Sequence, residues 1–300
     1  MLKIAWSEIY AHPLPENHRF PMEKYDLLPM QLKHEGTISE ENIFSPEPVE
    51  EKLILSTHKS SYWDKLNKLE LTKSEIRKTG FPLSRQLVDR EITIINGTVQ
   101  ASLFALEYGV AMNIAGGTHH AFTDRGEGFC LLNDIAIAAN YLRMNGLAKK
   151  ILVIDLDVHQ GNGTAEIFRD EPNVFTFSMH GASNYPYQKE ESNLDIGLEN
   201  NIQDDDYLRI LNRSLDETFK IFSPEFIFFQ SGVDVLATDK LGKLGLTLQG
   251  CKQRDQIVLN LAKSMNLPLV ASMGGGYSEN INDIVEAHAN TYRLAQDLFF

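Results

Sequence analysis

The sequence predicts an α/β fold, a single three-layer domain over residues 1–300 with a mainly parallel central sheet flanked by helices. Three observations carry this expectation. Short runs of apolar, β-branched and aromatic residues recur along the 300-residue chain, and they are continuous rather than alternating, as in strands covered on both faces. Helix-period stretches separate them, which implies crossover connections and parallel neighbours. Clusters of His, Asp, Gly and Tyr follow the runs, where open parallel sheets place their ligand sites.

In chain order, strands are expected at 3–7 (KIAWS), 110–116 (VAMNIAG), 150–156 (KILVIDL), 173–179 (NVFTFSM), 225–232 (EFIFFQSG) and 267–276 (LPLVASMGGG). The helix pattern is clearest at 205–222, where Leu208, Leu211, Leu215 and Phe219 recur at three- and four-residue spacing behind Asp residues suited to a helix N-terminus. No Gly/Ser linker, tandem repeat or low-complexity tract interrupts the chain.

Composition narrows the function. With 43% hydrophobic and 23% charged residues the chain can bury a sizeable core. A net charge of -13 without a basic patch argues against non-specific binding to nucleic acid or to an anionic membrane. Such a balance would welcome a cationic substrate, and it equally serves solubility. Cys130 and Cys251 are too few for a disulfide framework. The first residues have no apolar core of a signal peptide and no window is an uncharged span, so a cytoplasmic location is expected.

The chemistry starts at 153–163, VIDLDVHQGNG, where a strand ends in two carboxylates and an imidazole, groups costly to bury unpaired. At a strand end Asp157 and His159 can both turn toward one ion, and Asp234, after another strand, can close the set. Two carboxylates and one imidazole with an open position suit catalytic Zn²⁺ or Fe²⁺. Gly161 and Gly163 would allow a sharp turn after the ligands. Ordinary roles stand beside this reading: Asp157 could cap the following helix and Asp234 could sit in a turn.

The adjacent pair His119 and His120 follows a strand and two glycines, a placement that suits acid/base work near a metal. Asp155 and Asn162 are their natural partners. A carboxylate would hold one imidazole closer to its charged state, whereas an amide would orient the other without raising its pKa much. Tyr277, after Gly274, Gly275 and Gly276, could donate to a developing oxyanion, or it could be a surface loop residue. GGGY, GEGF and QGNG lack the full fingerprint of a phosphate loop.

Taken in order, GGTHHAF, RGEGFCLLND, DLDVHQGNGT, SGVDVL and GGGY, together with HPLPENHRFPMEKY at 12–25, resemble the zinc-dependent histone deacetylase family of the arginase/deacetylase fold. The HQGNG form and compact length are most similar to its class IV branch and bacterial relatives. The resemblance implies Asp157, His159 and Asp234 as zinc ligands, His120 as general base, His119 as the partner paired with Asp155, and Tyr277 as oxyanion donor. It also implies Phe129 and Tyr185 as tunnel walls, with Gly128 and Gly275 beside them. A K⁺ ion would be held by carbonyls of Asp155, Asp157 and His159 and by the Ser178 hydroxyl. Asn162 departs from branches that carry Asp there, and no residue matches the rim aspartate of several branches.

The activity so implied is metal-dependent removal of an acetyl or longer acyl group from acyl-lysine, in a peptide or protein, or from a related acylated amine such as a polyamine. A non-catalytic acyl-lysine-binding protein is the alternative from another class. An arginase-type binuclear manganese hydrolase would need further Asp ligands where Gln160 and Asn162 stand. Oligomeric state has no signature, and the segments 80–92 and 181–194, read as loops, carry no code for pocket depth.

Overall fold

A computed structural model describes residues 1–300. Its eight strands are Lys3–Ala5 (β1), Ile43–Phe44 (β2), Val110–Asn113 (β3), Ile151–Asp155 (β4), Val174–Gly181 (β5), Leu194–Leu198 (β6), Phe226–Gln230 (β7) and Leu269–Ser272 (β8). They form one sheet in the order β2-β1-β3-β8-β7-β4-β5-β6, and every pairing is parallel. All six expected strands are present, most of them cut back at the ends where Gly and polar residues begin. The two without a sequence signal, β2 and β6, are the sheet edges. An edge strand has one neighbour and a half-exposed face, so it shows no continuous apolar run; β6 reads LDIGL with alternating exposure.

The helices are Lys24–His34 (α1), Glu51–Ile54 (α2), Ser60–Asn67 (α3), Lys73–Thr79 (α4), Arg85–Tyr108 (α5), Asp134–Met144 (α6), Asn162–Phe168 (α7), Asp204–Ile221 (α8), Leu248–Ser264 (α9) and Ile281–Phe299 (α10). The expected helix at 205–222 is α8. Only the first part of the segment 80–92, residues 80–84, is a loop. From Arg85 it belongs to the longest helix, α5, whose start is capped by the Ser84 hydroxyl accepting the Leu87 N–H at 3.1 Å. That helix packs against β1, β3 and β8. No helix is long and apolar enough to cross a membrane.

The register explains where the site lies. Asn113, Ser272, Gln230, Asp155 and Ser178 are paired neighbours across β3, β8, β7, β4 and β5. This polar row ends an otherwise apolar sheet. The loops that leave β3, β8, β7 and β4 carry His119 and His120, Tyr277, Asp234, and Asp157 with His159, so four adjacent strands deliver every cluster to one edge.

Candidate active site

Asp157, His159 and Asp234 offer ligand atoms that lie within 4.8 Å of one another. His159 Nδ1 is 3.1 Å from both Asp157 Oδ1 and Asp234 Oδ2. The backbone holds the carboxylates. The Asp157 side chain accepts the N–H groups of His159 and Gly275, each at 2.9 Å, and Asp234 accepts that of Val158 at 2.9 Å. Asp157 does not cap α7, which starts from Gly161 without a side-chain cap, whereas Asp234 does sit in a turn, with its carboxylate aimed into the cluster. Burial, then the charge of Asp157, pushes Asp234 up to about 7. Two buried carboxylates and an imidazole in this geometry suit a divalent cation, which would relieve their repulsion. Glycines form the cradle: a Cβ on Gly232 would meet Asp157 Oδ2 at 2.2 Å and one on Gly275 would meet Asp234 Oδ2 at 2.1 Å.

Two imidazoles sit beside this cluster with ring centroids 4.1 Å apart. His119 Nδ1 is 2.7 Å from Asp155 Oδ2, and His120 Nδ1 is 2.6 Å from Asn162 Oδ1. Their electrostatics diverge. Burial works against the charged form of His119, but Asp155 and Asp157 more than offset it and raise the ring to about 8. Burial and the neighbouring rings of His119 and His159 hold His120 well below its ordinary value.

Tyr277 is buried beside Phe129 and Phe20 rather than packed on the surface. Burial, then Asp234 and Asp157, holds its phenol protonated. Phe129 and Tyr185 line the tunnel with His120, His159 and Gly128. The Tyr185 hydroxyl donates to Glu127 at 2.7 Å. The N–H groups of Gly128 and Phe129 donate to Lys78 and Thr79 at the end of α4, at 2.9 and 2.7 Å, fixing a turn with φ of 53° and 66°. Gly275 lines the floor, a cavity of about 40 Å³ shared with both histidines and Tyr277. Ser178 lies 3.0 Å from His180 Nδ1 and pairs in register with Asp155.

Other features differ from the sequence reading or were missed by it. Gly161 and Gly163 do not serve a left-handed turn, since neither has positive φ. They leave space: a Cβ would meet Asp155 Oδ2 at 2.2 Å or the Ala121 carbonyl at 2.3 Å. Behind the cluster, fully buried Arg254 on α9 donates to the carbonyls of Leu156 (3.2 Å), Gly232 (2.5 Å) and Ser231 (3.3 Å), and pairs with Asp255, which Thr291 also serves. Lys24 is buried under the glycine loop, its Nζ 3.0 Å from the Gly274 carbonyl. Burial lowers it to about 8. An Arg or Lys on a mostly apolar helix face was the available clue in each case.

The fold and this site together define a class, a parallel α/β protein with a buried Asp-His-Asp cluster and two histidine dyads at the carboxyl edge of its sheet. The histone deacetylase domain matches residues 18–292, and the chain belongs to the histone deacetylase family. It is 43% identical over 296 residues to an uncharacterized protein of Picosynechococcus sp., covering 99% of both chains. It is 30% identical to histone deacetylase 2 of Arabidopsis thaliana, over 88% of this chain and 70% of that one. A crystal structure of a histone deacetylase (HDAC) homolog complexed with SAHA superposes with a TM-score of 0.86 at 26% identity, covering 99% of this chain and 84% of the other. The HDAC homolog from Aquifex aeolicus gives 0.84 at 26% identity, over 98% and 84%. The fold is that of the arginase/deacetylase proteins, and family membership supports a hydrolase acting on amides.

Proposed function

We propose that this protein is a metal-dependent deacylase that removes a short acyl group from acyl-lysine or a related acylated amine. The observation that carries the reading is the pair of oppositely tuned histidine dyads beside the carboxylate-imidazole cluster at a tunnel floor. Asp157, His159 and Asp234 would hold Zn²⁺, or Fe²⁺. When bound, the ion supplies Lewis-acid polarisation of the acyl carbonyl and acidifies water. A structural K⁺ would sit near Asp155, Asp157, His159 and Ser178.

The side chains divide the remaining work. His120 donates Nδ1–H to Asn162, leaving Nε2 free to accept a proton from the attacking water. Because burial keeps the ring neutral, it is competent as a base at physiological pH. Tyr277, held protonated, donates to the oxyanion of the tetrahedral carbon. His119, kept positive by Asp155, contributes charge and orders its neighbour, and His120 returns its proton to the leaving amine. Phe129 and Tyr185 enclose the lysine methylenes. The floor of about 40 Å³ accommodates an acetyl methyl.

An arginase-type second metal is disfavoured, because Gln160 turns away to the Glu190 carbonyl and Asp195 and Asn162 is engaged by His120. The branch resemblance to class IV and a cytoplasmic location complete the proposal. It is tested with acetyl-, octanoyl- and myristoyl-lysine peptides, using wild type and Tyr277→Phe before and after chelation and zinc restoration. Metal-dependent acetyl removal that falls about 100-fold or more in the variant supports it. Folded, metal-loaded protein that binds acyl-lysine without turnover overturns it in favour of a binding protein.

A further inference from the structure

The mouth of the tunnel inverts the charge of the whole protein. Arg19, Lys78 and Lys243 line an outer cavity of about 280 Å³ that continues inward to His120, His159 and Tyr277. No Asp or Glu is among its 13 lining residues. None of the three cations forms a salt bridge.

Two acids are bonded to residues that line the mouth. Glu127 takes Arg125 and the Tyr185 hydroxyl, and Asp239 accepts the N–H groups of Leu241, Gly242 and Tyr277. The cations are also tied to the tunnel. The Arg19 guanidinium lies 5.0 Å from the Phe129 ring centre, Lys78 accepts the Gly128 N–H through its carbonyl, and Lys243 Nζ reaches the Ser183 carbonyl at 3.1 Å. Lys189 adds a fourth charge behind the same loop, bonded to the Asn184 carbonyl at 2.7 Å. Tyr187, 90% exposed, offers an aromatic face at the mouth.

We propose that this mouth selects acylated amines that carry a carboxylate or similar anion at the end that stays at the tunnel opening, across the methylenes from the amide to be cleaved. The proposal rests on the deacylase reading and names its substrate class. The overall charge of -13 would instead favour cationic ligands, but a local field at a cleft outweighs distant charges that salt screens beyond about 8 Å. Acetylated polyamines, which are polycations, are therefore disfavoured. The anion has two sources, the free α-carboxylate of an Nε-acyl-lysine or an acidic side chain flanking acyl-lysine in a peptide.

Acetyl-lysine peptides flanked by Asp, Gln or Lys, together with free Nε-acetyl-lysine and its amide, separate these sources. Hydrolysis is measured with the zinc-loaded wild-type protein, and binding by fluorescence anisotropy with Tyr277→Phe, whose slowed turnover lets the mouth be read before substrate is consumed. Asp-flanked peptide is expected to exceed Lys-flanked peptide about tenfold in kcat/KM and affinity at low salt, shrinking at high salt. The double substitution Lys78→Glu and Lys243→Glu is expected to reverse the order. A preference for free acetyl-lysine over its amide, with the peptides equal, assigns the anion to the α-carboxylate. Equal binding of every charge type, or an order unchanged by the charge reversal, overturns the proposal. A binding preference without hydrolysis of any substrate overturns the deacylase reading while the charged mouth stands.

Discussion

Gly128→Ala separates the position of His120 from the stability of the fold. The added Cβ would lie 2.6 Å from His120 Cδ2, 3.2 Å from its Cγ and 3.3 Å from Tyr185 Cε1. To regain the 3.4 Å of ordinary contact from 2.6 Å, the ring must move by about 0.8 Å. It has little room, since Nδ1 is fixed on Asn162 at 2.6 Å and the ring lies against that of His119, centroid to centroid 4.1 Å. A displacement approaching 1 Å costs about 100-fold in rate when it moves a catalytic base. The backbone φ of 53° adds about 1–2 kcal/mol of destabilisation for any residue with a Cβ. Gly36→Ala isolates that backbone cost, because φ there is 78° and nothing lies within 4 Å of the added atom. The assay pairs kcat on an acetyl-lysine peptide with urea denaturation of both variants. Gly128→Ala should lose at least as much stability as Gly36→Ala, and it alone should lose rate; undiminished turnover would refute the placement of His120 as the working base.

Further outcomes follow from the buried polar groups. Arg254→Ala leaves Asp255 without its charge partner and is expected to cost about 3–5 kcal/mol by denaturant unfolding, against about 1 kcal/mol for Thr291→Val. His58 bridges the Phe122 carbonyl (2.9 Å) and the Asn133 N–H (3.0 Å), and burial lowers it from 6.5 to about 4. Its folded value lies below its unfolded value, so its contribution is present above 6.5 and is lost as pH falls toward 4, by about 3 kcal/mol. His58→Gln should flatten stability across that window; an unchanged slope would rule out this histidine as the cause. Asn162→Asp puts a carboxylate on His120 and is expected to move the acid limb of the kcat/KM profile up by about 1–3 pH units, because the base must be neutral to act. An unmoved limb would show that another group sets it.

What could be read from the sequence was local. Continuous apolar runs report strands covered on both faces, and a His or Asp after such a run reports a strand end, so six strands and the positions of Asp157, His159, Asp234, the histidine pair and Tyr277 were legible. Edge strands β2 and β6 were not, because half-exposure removes the signal. Nor was the start of α5, read as a loop. Pairing between distant segments alone decided that β3, β8, β7 and β4 lie side by side and bring residues 119, 277, 234 and 157 to one edge. The same long-range convergence gathers Arg19, Lys78 and Lys243 around one opening in an acidic chain. Charge counted along a sequence averages over the surface, whereas the field at a site depends on which loops the sheet order makes neighbours.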